Sequence, residues 1–582
     1  MKAPPTTDEP QTRRHRRWPS PTTRGVLLWG LLMAPLLLWG LPSSRNDDLL
    51  FGGETPWPAE RYNVAADLEA LQQRDAGADT DLNPLASRDR RVDLTSDDDA
   101  RAEILRRYRL FSRQPDEMII LRALQRMRPR ALDLDPRLYQ YGGGYIYLVG
   151  ASIGTGAALR LVQVTRDAGV YLERPESFAA FYVAARAVSL VFGALTLIAI
   201  HRLARRAGGR GAGWLATLAV ALSPVFFTAV LEAKPHLPSA CMILWATLSA
   251  LDYQAHGRQR SAVWMGLQAG YALGLVLTGV VAALLWPTLL LTIDAPRRQQ
   301  AWRHLGIAAL LAIGVYVLTN PYVPYNWLFN RAALQSNIGN STAMYEHQME
   351  QAVAGAVRIA HLLPMSAGAG VLFAGAVGLI ALLRRHPRPV IVAVVAGVAM
   401  LLICVLLGAG KPDEFARFLV LPVLLLCIAA GWILAKLICW RPLLGSVVGL
   451  VVLATSPVAA YVRAFAVDAR GNLESRRMAG DFLSATLAND DVLGVLQEPA
   501  PYAVPPADFT RRRVVYLPPL RPAELDEADL PSWLVFTADD ERAHAAAWWQ
   551  EYYRLEARFP AAGTRLSPIC WADKPVFIYC RQ

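Results

Sequence analysis

Charged residues are scarce in this chain of 582 residues: they make up 18% of it, against about 25% in ordinary soluble domains. Apolar residues reach 54%, which excludes a disordered protein and argues against a soluble cytosolic enzyme. Lysine is especially rare, with five residues, so nearly all the positive charge is arginine. The six cysteines include no Cys-x-x-Cys pair, so the sequence indicates neither a zinc module nor a disulfide-rich scaffold.

The basic residues that give the net charge of +11 stand in short clusters between long uncharged runs. This arrangement is typical of a polytopic membrane protein with positive cytoplasmic loops, and it argues against nucleic-acid binding. A helix needs about 20 apolar residues to cross a bilayer. On that measure the sequence predicts eleven spans: 25–42, 178–202, 210–230, 237–253, two crossings within 261–293, 303–319, 366–384, 388–408, 417–436 and 442–464.

Residues 142–165 form an ambiguous apolar segment, and the distribution of charge decides its placement. If the segment does not cross, the basic loops and the basic N-terminus collect 20 lysines and arginines on one side, against five in the short loops opposite. A crossing here would invert every later loop and violate the positive-inside rule. We therefore predict an interfacial or re-entrant helix, with a cytoplasmic N-terminus and an extracytoplasmic C-terminus.

The predicted topology divides the chain into a cytoplasmic tail (1–24), a transmembrane domain (25–464) and an extracytoplasmic tail (465–582). A long first outer loop (43–177) belongs to the transmembrane domain, and its polar part 76–100 is typical of a disordered insertion or a long surface loop. The tail is predicted to be a small α/β domain. Its predicted strands are 491-DVLGVLQ, 513-RVVYLP, 533-WLVFT and 576-VFIYC. Its predicted helices lie near 474–488 and 539–557.

An acidic pair, Asp116 and Glu117, begins a predicted amphipathic helix in the first outer loop, directly after Pro115. The first helical turn favours carboxylates by about 0.3–1 kcal/mol, which is a sufficient explanation for an ordinary acidic pair. The apolar face of the same helix is typical of a segment lying at the membrane interface. There, a carboxylate would be placed to deprotonate a hydroxyl near the bilayer surface.

Arg186 lies within an apolar run, where an arginine is costly unless it is paired. It can bind a carboxylate such as Asp116, or a phosphate. Tyr139 and Tyr141 belong to the segment 139-YQYGGGYIY. This segment is typical of an interfacial aromatic belt, or of a surface that stacks sugars or guides lipids.

Two of the five lysines, Lys234 and Lys411, stand beside prolines in short outer loops, and Arg417 follows closely. All three are expected on the face that holds Asp116. Positive charge crowded at the bilayer surface suits an anionic ligand such as a phosphate. Histidines and carboxylates at the spacing of a zinc site are absent from the sequence.

In their order along the chain, these features resemble the GT-C superfamily of glycosyltransferases, which use polyprenyl-phosphate sugars. The resemblance extends over roughly residues 110–436. It is closest to the glycosyltransferase family 39-like branch, which contains protein O-mannosyltransferases and the transferases that add aminoarabinose to lipid A. The matching segments are the Asp116–Glu117 pair, 139-YQYGGGYIY, 183-VAARAVSLVFGALT, 222-LSPVFFTAVLEAKPH, 320-NPYVPYNW and 417-RFLVLPVLLL.

The resemblance implies a GT-C fold and a hexosyl or pentosyl transferase on the extracytoplasmic face of a bacterial inner membrane. The sugar would pass, with inversion, from a polyprenyl-phosphate donor to a hydroxyl of a lipid, glycan or protein. Asp116 matches the family's catalytic base, Arg186 the arginine near the donor, and Glu117 would support Asp116. The cations expected to stabilise the leaving phosphate are Arg186, Lys234, Lys411 and Arg417. No cofactor is implied, and these cations make a divalent metal dispensable.

Two departures from the family bear on the substrate. His236 stands where relatives commonly have the aspartate of Ala-Lys-Pro-Asp, and 272-ALGLVLTG lacks a lysine that is common in that helix. A transporter or flippase of lipid-linked saccharides is an alternative, but it would show repeated halves, which the sequence lacks. A structural or sensor protein, in which the acidic pair has no catalytic role, is a third reading.

Cys570 and Cys580 flank a turn-forming stretch on the face assigned to the oxidising compartment. We predict a disulfide between them, worth about 2–3 kcal/mol, with two buried thiols as the alternative.

The charge count also generates a topology test. A reporter fused after Arg210 is expected to register as cytoplasmic, and one fused after Lys411 as periplasmic. The opposite pattern would mean that residues 142–165 cross the membrane.

Overall fold

The computed structural model describes residues 21–51, 92–95, 98–343, 345, 348–411, 413–471, 473–488, 490–509, 511–517, 527–537, 547–559 and 569–582. Most of the predicted cytoplasmic tail and of the polar segment 76–100 lies outside these residues.

The described chain is mainly helical. Its α-helices are α1 Pro21–Met33, α2 Asp47–Leu50, α3 Asp98–Leu110, α4 Pro115–Arg126, α5 Gly143–Ala158, α6 Ala168–Glu173, α7 Pro175–Ala221, α8 Pro224–Leu231, α9 His236–His256, α10 Gln259–Leu275, α11 Leu285–Thr292, α12 Arg298–Thr319, α13 Tyr322–Phe329, α14 Arg331–Ala343, α15 Ala352–Ala367, α16 Ala369–Arg385, α17 Pro387–Leu407, α18 Val420–Trp440, α19 Pro442–Ala454, α20 Val458–Arg470 and α21 Ser475–Thr486. The 3₁₀ helices are Ala34–Leu38, Ser44–Asn46, Pro129–Ala131, Leu277–Leu284, Ala295–Arg297, Met349–Gln351, Asp413–Leu419, Glu527–Asp529 and Ala547–Glu551. The strands are β1 Val92–Asp93, β2 Val492–Val495, β3 Arg513–Tyr516, β4 Trp533–Thr537, β5 Tyr553–Phe559 and β6 Val576–Arg581.

Several of these helices are suited to a bilayer, which makes the chain a multi-pass membrane protein. Within the described residues, five helical segments are long and apolar enough to cross, and a bent pair would make a sixth. The five are Pro175–Ala221, Ala295–Thr319, Pro387–Leu407, Asp413–Trp440 and Pro442–Arg470. The bent pair is Met349–Ala367 with Ala369–Arg385, at an angle of 104°. The eleven spans therefore remain a prediction.

Two of the predicted breaks are visible in the backbone. Helix α7 covers the predicted span 178–202 and the first part of the predicted span 210–230, whose remainder lies mainly in α8, and it is interrupted at Gly208 and Gly209. Gly209 has φ of +81°, which glycine adopts at little cost. Helix α10 ends at Leu275, and Val276 is extended, which divides the long apolar stretch 261–293 as predicted.

Helix α5 occupies the ambiguous segment 142–165. Its 16 residues span about 24 Å, which is shorter than a hydrocarbon core of about 30 Å. Its buried side chains, including Tyr145 and Val149, pack with α4 and α7. The interfacial placement of this segment remains a prediction.

The tail forms the predicted sheet, with the strand order β1-β3-β2-β4-β6-β5. Strand β2 is parallel to β3 and β4, and the other pairs are antiparallel. The edge strand β1 comes from the first outer loop, where Val92 pairs with Tyr516. The tail and the first outer loop therefore share one sheet, which the sequence analysis treated as two regions.

Two predictions for the tail are wrong. The stretch 539–557 is not one helix: a 3₁₀ turn ends at Glu551, and the chain continues as strand β5, because β6 supplies its backbone partners. Cys570 and Cys580 form no disulfide. Cys570 packs with the transmembrane core, whereas Cys580 lies on β6 opposite Arg554, so the two residues belong to different layers.

The tail is fixed to the membrane domain through a buried charge cluster. Arg113, just before α4, pairs with Asp468 of α20 and with Glu474, 3.1 Å away. Arg476 donates to the same Glu474 at 2.8 Å. Because breaking a buried ion pair leaves an uncompensated charge, this cluster opposes separation of the first loop, α20 and the tail.

The placement of the two cysteines predicts their reactivity. Native protein should react with N-ethylmaleimide at the half-buried Cys580, while the buried Cys570 should react after denaturation without any reductant. Mass spectrometry of a non-reduced digest measures both. A peptide pair linked through these cysteines would contradict the structure.

Candidate active site

The acidic pair is positioned by the start of helix α4. Pro115 takes the first helical position, and the Gln114 side chain accepts a hydrogen bond of 2.9 Å from the Asp116 backbone N–H. This cap fixes where the helix begins. Successive residues diverge by about 100° around a helix, so Asp116 and Glu117 point in different directions.

Asp116 lies between two cations. Its Oδ2 is 3.1 Å from Lys234 Nζ and 2.7 Å from Arg417 Nη1, and 17% of the side chain is exposed. Burial alone would raise the pKa of Asp116, but the charges of Arg417 and Lys234 outweigh it and hold the pKa well below its ordinary value. The carboxylate is therefore ionised at neutral pH.

Glu117 is enclosed with Arg186. The guanidinium donates from Nε and Nη2 to the two carboxylate oxygens, each at 2.8 Å, and both side chains are fully buried. Arg186 Nη1 also donates to the carbonyls of Leu37 and Trp39, at 2.7 and 2.6 Å. Four of its five donors are thus used by protein groups.

Arg186 is enclosed, and four of its five N–H groups are occupied by protein acceptors. It anchors α7 to the N-terminal segment and to Glu117. The role expected for Arg186 at the donor phosphate stays a prediction. Glu117, which also accepts from Ser112 Oγ at 2.6 Å, is likewise enclosed and supports α4.

The loop before α9 contacts both members of the acidic pair. The backbone N–H of Ala233 donates to Glu117 Oε1 at 2.9 Å, and the next residue, Lys234, binds Asp116. Lys234 Nζ is also 3.3 Å from Glu232 Oε2, a buried carboxylate that the sequence analysis did not single out. Glu232 stands two residues before Lys234 in the sequence, and this proximity could have identified it as a residue of the site.

Arg417 is carried by the 3₁₀ helix Asp413–Leu419, whose first residues are also charged. Asp413 pairs with Arg358 at 2.9 Å, and Glu414 pairs with Lys574 from the C-terminal tail. The sequence analysis missed these groups, because the ion pairs join residues far apart in the chain.

Of the two tyrosines singled out, Tyr141 lies near the site and Tyr139 does not. Burial, with the charge of Asp116 as a further cause, raises the pKa of Tyr141. Tyr139 donates to Asp135 at 2.8 Å and accepts from Asn326, in a separate polar cluster. Its role in binding substrate stays a prediction.

Lys411 lies at the edge of the site rather than on Asp116. Its ammonium is 4.7 Å from the centroid of the Tyr345 ring, in a cation–π contact. Burial raises the pKa of Tyr345, and the charges of Arg417 and Asp116 also act on it, so Tyr345 lies within electrostatic reach of the site.

A small cavity, with room for about one water molecule, lies beside Arg417. Its other polar lining residues are His236, Ser239 and Thr278. The apolar lining residues are Ala240, Ile243, Met400, Phe418, Val420 and Leu421. One end of the cavity therefore offers a cation, and the rest of its wall is mainly apolar.

No group of three or more histidine, cysteine or carboxylate side chains converges as a metal site within the described ranges.

Replacing Arg186 tests the buried pair. In Arg186→Met the buried Glu117 carboxylate loses its counter-ion, so we expect a loss of about 3–5 kcal/mol, seen as a lower thermal unfolding midpoint in detergent. Arg388→Met is the matched control, because its pair with Asp294 is 64% exposed on both sides and should contribute under about 1 kcal/mol. Equal midpoints for the two variants would refute the anchoring role.

Comparison with known proteins gives one family match. Residues 178–323 match the family model described as dolichyl-phosphate-mannose-protein mannosyltransferase. These residues contain two of the segments that carried the sequence resemblance, including the loop with Lys234, and the first half of 320-NPYVPYNW. Asp116 and Arg417 lie outside the matched residues. No curated protein sequence matches the chain.

Solved structures show distant likenesses. An oligosaccharyltransferase from Archaeoglobus fulgidus is 14% identical, with a TM-score of 0.39, covering 62% of this chain and 53% of its own. ArnT from Cupriavidus metallidurans is 15% identical, with a TM-score of 0.40, covering 76% and 88%. The mycobacterial arabinofuranosyltransferase AftD is 15% identical, with a TM-score of 0.36, covering 90% and 40%.

At TM-scores below 0.5, these likenesses carry no argument about this site. The family match stands independently of them, and it agrees with the resemblance drawn from the sequence motifs: residues 178–323 are similar to a family of dolichyl-phosphate-mannose-protein mannosyltransferases.

Proposed function

We propose that the chain is a membrane glycosyltransferase that moves a hexosyl or pentosyl group from a polyprenyl-phosphate donor to an acceptor hydroxyl, with inversion. One observation carries the proposal: the ionised carboxylate of Asp116 shares Arg417 with a cavity that is otherwise mainly apolar. A base, a cationic phosphate site and an apolar surface for a lipid are the three parts that this reaction requires.

Lys234 and Arg417 would bind the donor phosphate. Arg417 lines the cavity directly, while Lys234 approaches the same carboxylate oxygen from the α9 loop. The prenyl chain would lie along Ile243, Met400 and Leu421. The family matched by residues 178–323 is described by a lipid-phosphate sugar donor, which supports this donor class.

Asp116 would act as the general base. It accepts the proton of the acceptor hydroxyl as that oxygen attacks the anomeric carbon. The bond from the anomeric carbon to the phosphate oxygen breaks, and its electron pair leaves with polyprenyl phosphate. Lys234 and Arg417 stabilise the charge that develops on this leaving group, so we propose that no metal ion is needed for that task.

Donor binding would also tune the base. In the free protein the charges of Arg417 and Lys234 hold the pKa of Asp116 low, which makes it a weak base. A bound phosphate would draw on the same cations and add negative charge nearby, and both effects raise the pKa of the carboxylate. Asp116 would thus become a stronger base when the donor is in place.

The proposed location is the extracytoplasmic face of a bacterial inner membrane. The charge asymmetry of the loops supports a cytoplasmic N-terminus and a periplasmic tail. The partners would be the bilayer, the lipid-linked donor and a lipid, glycan or protein acceptor. A flippase is the less favoured alternative, because it has no use for a carboxylate held against the phosphate site.

The Asp116→Asn variant tests the base. We expect transfer from polyprenyl-phosphate sugars to fall by at least about 10²-fold, the smallest effect typical of a lost general base. Binding of undecaprenyl phosphate should persist or tighten, because Lys234 and Arg417 are released from the carboxylate. Transfer is measured in liposomes with a panel of donors, and binding is measured on purified protein.

The matched control is Asp294→Asn, an exposed aspartate in a pair with Arg388, which should leave transfer unchanged. Near-normal turnover of Asp116→Asn would show that Asp116 is not the base.

A further inference from the structure

We propose that Lys574, from the C-terminal tail, is a positioning residue for the phosphate site: it neutralises the carboxylates behind Lys234 so that Lys234 is directed toward Asp116 and the donor. This inference rests on the proposed function. It gives the tail a direct part in donor binding.

Lys574 is fully enclosed and reaches the membrane domain. Its ammonium pairs with Glu414, three residues before Arg417, and lies 3.9 Å from the centroid of the Trp571 ring. Burial favours the neutral amine and lowers the pKa of Lys574, while the carboxylates of Asp413 and Glu232 act in the opposite direction. The direct contact with Glu414 favours the ammonium form.

The segment that carries Lys574 is held by hydrogen bonds of its own. Asp573, fully buried at φ of +47°, accepts from the Ser475 backbone N–H at 2.9 Å and donates its own N–H to Asp468 at 3.2 Å. Arg476 donates to the Trp571 carbonyl at 3.0 Å. Aspartate tolerates a left-handed conformation better than most residues, and the surrounding hydrogen bonds hold the turn that carries Lys574.

The charges around the site balance with Lys574 included. Four carboxylates meet four cations in one connected cluster: Asp116, Glu232, Asp413 and Glu414 with Lys234, Arg358, Arg417 and Lys574. Without Lys574 the cluster would carry one excess negative charge, located at Glu414 and Glu232. Lys234, which already lies 3.3 Å from Glu232, would then be drawn away from Asp116.

The test compares binding of undecaprenyl phosphate to the full-length protein in detergent. Lys574→Met should weaken binding by about tenfold, the scale of one charged hydrogen bond. The double variant Lys574→Met/Glu414→Gln restores the charge balance, and its binding should return to within about threefold of wild type. Lys436→Met, which removes an exposed lysine from the opposite end of α18, is the control expected to bind normally.

Each result is decisive. Normal binding by Lys574→Met would overturn the proposal, and so would failure of the double variant to recover while its thermal unfolding midpoint matches wild type. A lowered midpoint in both variants, with no recovery of binding, would show that Lys574 serves docking of the tail alone. Absence of binding by wild type would instead refute the proposed donor.

Discussion

The buried pair between Glu117 and Arg186 is the contact on which the site depends. Both charges are removed from water, so the pair is stable only with its two-pronged geometry and with the further bonds from Ser112 and Ala233. Those bonds fix α4 against α7 and against the loop before α9. Once Glu117 is fixed, its neighbour Asp116 points about 100° around the helix, toward Lys234.

The two carboxylates show how one acidic pair serves two tasks. The enclosed one holds the fold together and is closed to substrate, while the partly exposed one remains available for chemistry. Their separation depends on low effective dielectric, since the same ion pairs at a solvated surface would contribute little. The loop 232–236 contacts both, which couples the position of Asp116 to the position of Lys234.

The tail is part of the site rather than an appendage to it. Strand β1 from the first outer loop completes the sheet of the tail. Arg113 of the same loop pairs with Asp468 of α20, and Lys574 of the tail pairs with Glu414. The first loop, the membrane helices and the tail therefore meet at the acidic pair. A cluster built from three separated segments stays balanced only while all three remain docked.

Local sequence patterns predicted the membrane class, the small α/β tail with four of its strands, and the placement of Lys234 and Arg417 on the face that holds Asp116. These follow from local patterns: apolar runs, alternation along strands, and charge placed beside a predicted bilayer surface. Local patterns also predicted the division of α7 and a break within the apolar stretch 261–293. Charged residues and glycine interrupt a long apolar run whatever it packs against.

Only the tertiary structure decided which charge meets which. Arg186 pairs with Glu117 rather than with Asp116, and Tyr139 bonds to Asp135 in a separate polar cluster. Cys570 and Cys580 are close in sequence but lie in different layers. The physical reason is that pairing of buried charges and side chains depends on distances between remote segments, which packing fixes and local sequence does not encode.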